Sequence, residues 1–295
     1  MPYVTGSAND MDALKAALIS ACTGNGWANA GDVLHKGNVY IELLVSGAYL
    51  TLKGGEGIDG GDALTGAEGG TVQIGRPSTG VADLSWPVVY EIFVGTAPDE
   101  VCMVINYNVD LFQFIAFGQS TISDLPGTGA WYSASLANYF SGSSLFISIN
   151  PYGGGYPGIT MGFFWRNYAN PSCANSMINH GLDGVSWNPP ASILNCAHAI
   201  QPLTAVLPNA WNSAAALLPV QVWLPRADNK VSMVVDMVHI RYVRVDNHAP
   251  GEVITIGSDR WKVFPFYRKN VAVRDAGSSV DHTGTFGFAV RYDGP

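Results

Sequence analysis

The densest apolar run in the chain spans Val88 to Gln119, VVYEIFVGTAPDEVCMVINYNVDLFQFIAFGQ. It divides into three segments rich in β-branched and aromatic residues, Val88–Val94, Val101–Tyr107 and Leu111–Phe117. The connectors contain Pro98-Asp99 and Asn108-Val109-Asp110, which are residue types that favour turns. The pattern therefore predicts three strands in an antiparallel meander, and β-branched enrichment at this length argues against a buried helix.

The middle segment predicts a strand that is covered on both faces. Alternate residues of a strand point to opposite faces. Both alternate sets are apolar here: Val101, Met103, Ile105 and Tyr107 on one side, Cys102 and Val104 on the other. A surface ribbon would show a polar set, so we expect a central strand of a layered core.

One helix is predicted, from Asp10 to Thr23, with Met11, Leu14, Leu18 and Ile19 at helical spacing. Ser7, Asn9 or Asp10 can accept the first unpaired N–H groups of the helix. Gly24 or Gly26 can take the left-handed conformation that ends it. We expect this helix to cover one face of a sheet.

The rest of the chain predicts further strands separated by glycine-rich and proline-rich stretches. The predicted strands are Val39–Val45 and Ala48–Lys53 joined at Ser46-Gly47, Thr71–Ile74, Leu145–Ile149, Met161–Trp165, Val220–Leu224, Lys230–Val245 (one bent strand or two with a bulge), Glu252–Ile256, Lys262–Phe266 and Phe286–Tyr292. The predicted loops are Gly54–Gly70, Ile122–Tyr139 and Asn167–Pro219.

These elements predict a mainly β fold, with an antiparallel sandwich or barrel-like core, one N-terminal α-helix and long irregular insertions. We expect residues 1–165 to hold the helix and most of the core. Residues 166–219 form an irregular, proline-rich insertion in this scheme, and residues 220–295 supply strands that complete the core. The apolar ending FGFAVRYDGP predicts a docked strand at the C-terminus.

The amino-acid composition favours a function in protein–protein assembly. Only 13% of the 295 residues are charged, whereas Gly (34), Pro (17) and aromatic residues (11%) are abundant. A surface so poor in charge favours contact with other protein subunits. The net charge of −8 argues against a sequence-independent grip on nucleic-acid phosphates. No segment reads as a secretion signal or membrane span, and four scattered cysteines do not suggest a disulfide framework.

Two segments carry potential metal ligands. The first holds Cys173, His180, Cys196 and His198, but the pairs lack the spacing of zinc ribbons and fingers. The second, GGEGID from Gly54 to Asp59, matches the start of a calcium-binding nonapeptide, yet it has Gly61 where an apolar residue belongs and does not recur. We therefore expect no metal site and no cofactor.

The sequence motifs that could indicate a catalytic site are also incomplete. Gly184-Val185-Ser186 beside Asp183 lacks the second glycine of a nucleophile elbow, and Ser279, Asp281 and His282 read as turn residues. Paired carboxylates for glycoside hydrolysis have two candidates, Asp99 with Glu100 and Asp59 with Asp62, each in a predicted turn. We therefore expect no catalytic residues.

Aromatic residues offer an alternative, since they can stack against sugars. The candidates for such a platform are Trp131, Tyr132, Trp165 and Trp187. Core and interface packing accounts for scattered aromatics equally well. An exposed groove formed by these four would favour a receptor- or glycan-binding role, and two carboxylates across such a groove would favour a glycan hydrolase.

Three stretches, together about a quarter of the chain, resemble virion structural proteins of tailed bacteriophages. They are DMDALKAALISACTGNGW, PDEVCMVINYNVDLFQFIAFGQS and WKVFPFYRKNVAVRDAGSSVDHTGTFGFAVRYDGP. The resemblance implies a β-rich subunit of the tail or baseplate, with no cofactor, no reaction and no assignable site residue. It also implies that the chain is made in the host cytoplasm and partners with other copies of itself and other virion proteins.

Overall fold

A computed structural model of the chain describes residues 1–67, 70–76, 83–137, 163–164, 176–184, 186–188, 194–195, 209, 211–212, 214–226, 230–266, 268–269 and 286–295. The elements in chain order are β1 Tyr3–Ala8, α1 Met11–Thr23, β2 Ala28–Ala30, β3 Val33–Lys36, β4 Val39–Ser46, β5 Tyr49–Gly55, β6 Gly57–Ile58, β7 Leu64–Thr65, β8 Val72–Gly75, β9 Val88–Val94, β10 Glu100–Asn108, β11 Leu111–Gln119, β12 Ala130–Ala134, β13 Leu136–Ala137, β14 Ser176–Asn179, a 3₁₀ turn Leu182–Gly184, β15 Trp187–Asn188, β16 Leu194–Asn195, β17 Leu218–Pro225, β18 Val231–Arg244, β19 Val253–Ile256, β20 Asp259–Pro265 and β21 Phe286–Arg291.

The predicted meander is confirmed as the centre of a seven-stranded antiparallel sheet. Its strand order is β1-β9-β10-β11-β12-β14-β15. Strand β10 pairs with β9 on one side, Val101 opposite Val94, and with β11 on the other, Val101 opposite Phe117. The apolar run of the sequence therefore forms the middle of the molecule.

Both faces of this central sheet are covered, as the alternation in β10 predicts. Val101, Met103, Ile105 and Tyr107 pack into a first core with α1 and the N-terminal sheet β13-β8-β5-β4-β3-β2. Cys102 and Val104 pack into a second core with the C-terminal sheet β16-β17-β18-β21-β20-β19. The result is a layered, sandwich-like β fold, and within the described residues no sheet closes into a barrel.

The predicted helix is also confirmed. Asp10 is the N-cap, and its Oδ1 accepts a hydrogen bond from the Ala13 amide at 2.7 Å. Leu14 and Leu18 are fully buried in the first core. The chain leaves the helix through Gly26, whose φ of +83° lies in the left-handed region.

Strands β4 and β5 form the predicted hairpin, with Gly47 in the turn at φ +58°. The prediction of a loose loop over Gly54–Gly70 is wrong in part, because β5 runs to Gly55 and β6 pairs with β7. The turn between them is organised by Asp59, whose Oδ1 accepts the amides of Gly61 and Ala63, both at 2.9 Å. Local side-chain bonding thus orders a glycine-rich stretch.

The predicted run Lys230–Val245 is one strand, β18, with an irregularity in its pairing to β17. Pro219 lies opposite Arg241, but Gln221 lies opposite Asp236. The extra residues of β18 across from Val220 form the bulge that the mixed pattern suggested. Here the backbone of β18 turns away from β17 and meets the central sheet.

Two predicted loops contain strands of the central sheet. Strand β12 lies within the predicted excursion Ile122–Tyr139, and β14 lies within the predicted irregular stretch Asn167–Pro219. Both strands are short, and small and polar residues hide their apolar pattern. Their buried serines are paired, since the Oγ atoms of Ser133 and Ser176 lie 2.8 Å apart.

Of the predicted strand Met161–Trp165, the described residues Phe163 and Phe164 form a turn with φ of +47° and +64°. This part of the strand prediction is wrong. Both side chains are fully buried in the second core, so burial, not strand formation, explains the aromatic pair. The predicted strand Leu145–Ile149 lies outside the described residues.

Candidate functional site

Strands β1 and β19 lie at the ends of their sheets. β1 pairs with β9, Tyr3 opposite Phe93, and β19 pairs with β20, Val253 opposite Lys262. In the described part of the chain neither strand has a partner on its outer side. Each outer side therefore presents backbone N–H and C=O groups on which another strand can pair.

A polar cluster links β1 to β20, the strand that pairs with β19. The Tyr3 hydroxyl, from β1, donates to Glu91 Oε2 at 2.7 Å. Lys262 Nζ, from β20, donates to the Tyr3 hydroxyl oxygen at 3.1 Å and forms an ion pair with Glu91. Lys262 Nζ also lies 4.9 Å from the centre of the Tyr3 ring. These contacts join β20, the neighbour of edge strand β19, to edge strand β1 and to β9.

The charge state of this cluster favours permanent pairing. Burial alone would lower the pKa of Lys262, but its hydrogen bonds to Glu91 and Tyr3 outweigh burial, so its pKa lies above its ordinary value. Burial and the neighbouring Glu91 raise the pKa of Tyr3. At neutral pH the cluster therefore contains an ammonium, a carboxylate and a neutral phenol.

Four exposed apolar side chains lie on β1, on its partner strand β9 and on β19. Val4 is 37% exposed, Val89 49%, Val253 37% and Ile256 50%. They make up four of the nine large apolar side chains that are exposed among the described residues. We call β1, β19 and Val89 the paired edges.

The sequences of these edges lack the usual protection against strand pairing. Charged side chains, prolines and bulges commonly block an open edge. Strand β1 reads YVTGSA and strand β19 reads VITI, so neither contains a charged residue or a proline. The paired edges are therefore suited chemically to adding a strand from another protein, with apolar contacts on either side.

A second buried polar group, Glu100, ties the central sheet to the bulge of β18. Its two carboxylate oxygens accept the amides of Val238 and His239 at 2.9 and 2.8 Å. His239 Nε2 donates to the Thr96 carbonyl at 3.2 Å. Burial raises the pKa of Glu100 to about 7, against the opposing effect of these two amides and Arg241. The carboxylate of Glu100 is thus buried, and both of its oxygens accept backbone amides of β18.

The two carboxylate pairs that the sequence offered for glycoside hydrolysis do not face each other across a groove. Asp99 pairs with Lys36 at 2.7 Å, and neighbouring Glu100 points into the core. Asp59 bonds its own turn, and those backbone amides lower its pKa. Asp62 follows in the same turn with φ +63°. Neither pair forms the facing arrangement of a glycoside hydrolase.

The candidate metal and nucleophile residues are only partly described. His180 is buried and its Nδ1 accepts the Leu182 amide at 3.0 Å, whereas Cys173, Cys196 and His198 lie outside the described residues. No group of three potential ligands occurs in the described part of the chain. Asp183 lies in the 3₁₀ turn; Val185, Ser279, Asp281 and His282 lie outside the described residues.

The predicted aromatic platform is not present at its described positions. Trp131 and Tyr132 are fully buried, and Trp187 is 5% exposed and packs 5.3 Å from the Tyr132 ring. Trp165 lies outside the described residues. These aromatics form core, because β12 is an inner strand of the central sheet.

Comparison with protein-family models finds no match to this sequence, and comparison with curated proteins finds no relative. The resemblance to phage structural proteins therefore stays a prediction. Among the described helices, none has the length and apolar character needed to cross a membrane.

Proposed function

We propose that this chain is a structural subunit that works by protein–protein assembly. One observation carries the proposal: in the described part of the chain β1 and β19 are open sheet edges, and exposed apolar side chains lie on them (Val4, Val253 and Ile256) and on neighbouring β9 (Val89). A monomer gains nothing from leaving such edges open, and an added strand would satisfy their backbone groups. The low charge of the whole chain, 13% of residues, supports the same conclusion.

The particular assembly that we propose is a bacteriophage particle, at the tail or baseplate. The three stretches that resemble virion proteins support this assignment, and one of them contains β10 and β11 of the central meander. In this proposal the partners are further copies of the chain and other virion proteins. The chain performs no reaction and holds no cofactor. The burial of Trp131, Tyr132 and Trp187 removes support for a glycan-binding role at those residues.

Charged substitutions on β19 should prevent self-association. We expect the wild-type chain to sediment as an oligomer, and the double variant Val253→Lys, Ile256→Lys to weaken association at least about tenfold, because it places two ammonium groups where apolar contact is needed. Sedimentation velocity over a concentration series measures the effect.

The matched control is Val109→Lys, in the turn between β10 and β11. Val109 is 93% exposed and lies away from both edges in the strand order. We expect this variant to associate as the wild type does. A wild-type chain that is monomeric at its highest soluble concentration, or an equal loss in the control, would contradict assembly through β19.

A further inference from the structure

A cleft opens at the N-terminal end of α1, close along the chain to the end of β1. Its volume is about 290 Å³. Four segments contribute to its wall: the start of α1, the β4–β5 turn, the residue after β8 and the segment before β9. The lining residues are Asp10, Met11, Gly47, Ala48, Arg76, Asp83, Leu84 and Trp86. A cleft of this size suits a small molecule or one unit of a chain molecule.

The aromatic wall of the cleft is Trp86, which is 37% exposed. Trp131 and Trp187, which lie in strands of the central sheet, are buried, whereas Trp86 precedes β9 and reaches the surface. An exposed indole offers a flat apolar surface that a rigid ligand can cover at little entropic cost. Leu84 and Met11 extend this apolar surface.

Hydrogen-bond donors and acceptors also line the cleft. Arg76 Nε pairs with Asp83 Oδ1 at 2.9 Å, and both side chains are more than half exposed, at 63% and 59%. A guanidinium has five N–H donors and a carboxylate about four acceptor sites, so this pair retains capacity for a ligand. Asp10 caps the helix through Oδ1, and its carboxylate also has acceptor sites left.

The charge of this cleft excludes anions. The N-terminus of a helix ordinarily attracts phosphate, but Asp10 already occupies that position with a carboxylate. Two carboxylates and one guanidinium leave the lining slightly negative. A ligand here should be neutral, present hydroxyl groups that both donate and accept, and have one apolar face.

From these features we propose that the cleft binds a neutral saccharide. The C–H face of a sugar ring would stack on the indole of Trp86. Its hydroxyl groups would donate to Asp10 and Asp83 and accept from Arg76. This site is independent of the assembly proposed for the paired edges, because it shares no residue with them.

An array of neutral and anionic oligosaccharides, probed with the purified full chain, tests the proposal. We expect at least one neutral saccharide to bind, and Trp86→Ala to lower its affinity at least about tenfold, because it removes the indole face on which the sugar ring would stack. Trp211→Ala is the matched control, because Trp211 is 97% exposed at another site. We expect it to bind as the wild type does.

Substitutions at two exposed residues, Asp83 and Arg76, test saccharide binding if Trp86→Ala fails to fold. Asp83→Asn and Arg76→Ala should each weaken binding severalfold without loss of the thermal unfolding transition. Binding to no saccharide, binding only to anionic ones, or full retention of affinity in Trp86→Ala and Asp83→Asn would overturn the proposal. None of these outcomes changes the sedimentation result expected for β19.

Discussion

Replacing Glu100 by alanine should lower the free energy of unfolding at pH 5 by about 3 kcal/mol, because it leaves two buried amides without an acceptor. Those amides belong to Val238 and His239, at the bulge where β18 leaves β17. Glu100 is 1% exposed, so water cannot replace the lost bonds without opening the structure. Chemical denaturation of the purified variant measures the loss.

The same side chain should give stability a distinctive dependence on pH. Burial raises the pKa of Glu100 from 4.5 to about 7 in the folded chain. Between these values the folded state binds a proton that the unfolded state has released. The stabilisation that Glu100 gains from this raised pKa is therefore complete below pH 4.5 and is lost as the pH rises through about 7. The loss is on the order of 3 kcal/mol of unfolding free energy.

Glu100→Gln isolates this effect, because it cannot titrate. As the pH rises from 4.5 to 7, the free energy of unfolding of the wild type should fall relative to that of Glu100→Gln. Asp99→Ala is the neighbouring control: it removes a partly exposed pair with Lys36 and should cost less than about 1 kcal/mol. A difference that is flat across this pH window, or a larger loss in Asp99→Ala than in Glu100→Ala, would contradict the role of Glu100.

Phe288→Ala should lower the free energy of unfolding by about 4 kcal/mol, the usual cost of removing a buried phenylalanine from a packed core. Phe288 is fully buried in the second core. Its ring centre lies 5.3 Å from that of Phe114 and 5.0 Å from that of Phe163. The substitution therefore removes part of the aromatic packing between the C-terminal sheet and the central one, to which Phe93–Phe264 and Phe114–Phe266 also contribute.

Phe288→Leu tests whether packing volume accounts for the effect. Leucine fills most of the cavity, so we expect a cost of about 1 to 2 kcal/mol. Val109→Ala, at a 93% exposed turn position, should change stability by less than about 0.5 kcal/mol. Urea denaturation can rank the three variants. An alanine variant as stable as the leucine variant would show that the two sheets are not joined through this cluster.

The parts of the fold that could be predicted from sequence are those with strong periodicity. The alternation in Val101–Tyr107 is apolar on both sides, and only an inner strand of a layered structure requires that. The spacing of Met11, Leu14 and Leu18 fits only a helix, and Asp10 supplies its cap. These signals are local, so they can be recognised without knowledge of the partners.

The missed strands depend on distant partners. Strand β12 is five residues long and follows a stretch rich in glycine and proline. Its strand character comes from pairing with β11 and β14, and Ser133 is buried because Ser176 bonds it across the sheet. Strand β1 was missed for a similar reason, since YVTGSA has little alternation and pairs with a strand far along the chain.

The candidate site was outside the reach of sequence reasoning. Low charge suggested a covered surface, but not which surface. Whether β19 lies at an edge depends on sheet order, and the link from its neighbour β20 to β1 depends on the contacts among Tyr3, Glu91 and Lys262. These residues come from three separate strands, and nothing local to any of them signals the cluster. Glu100 was singled out only as a turn carboxylate, because the bulge that it bonds lies far away in sequence.

Our proposal that this chain is a subunit of a phage tail or baseplate is tested most directly by electron cryo-microscopy of phage particles purified from cells that produce the chain. We expect copies of the chain to occupy the tail or baseplate. A strand of a neighbouring subunit should extend β1 or β19, and Val253 and Ile256 should be covered. A particle without the chain, or a map in which both edges face solvent, would contradict it.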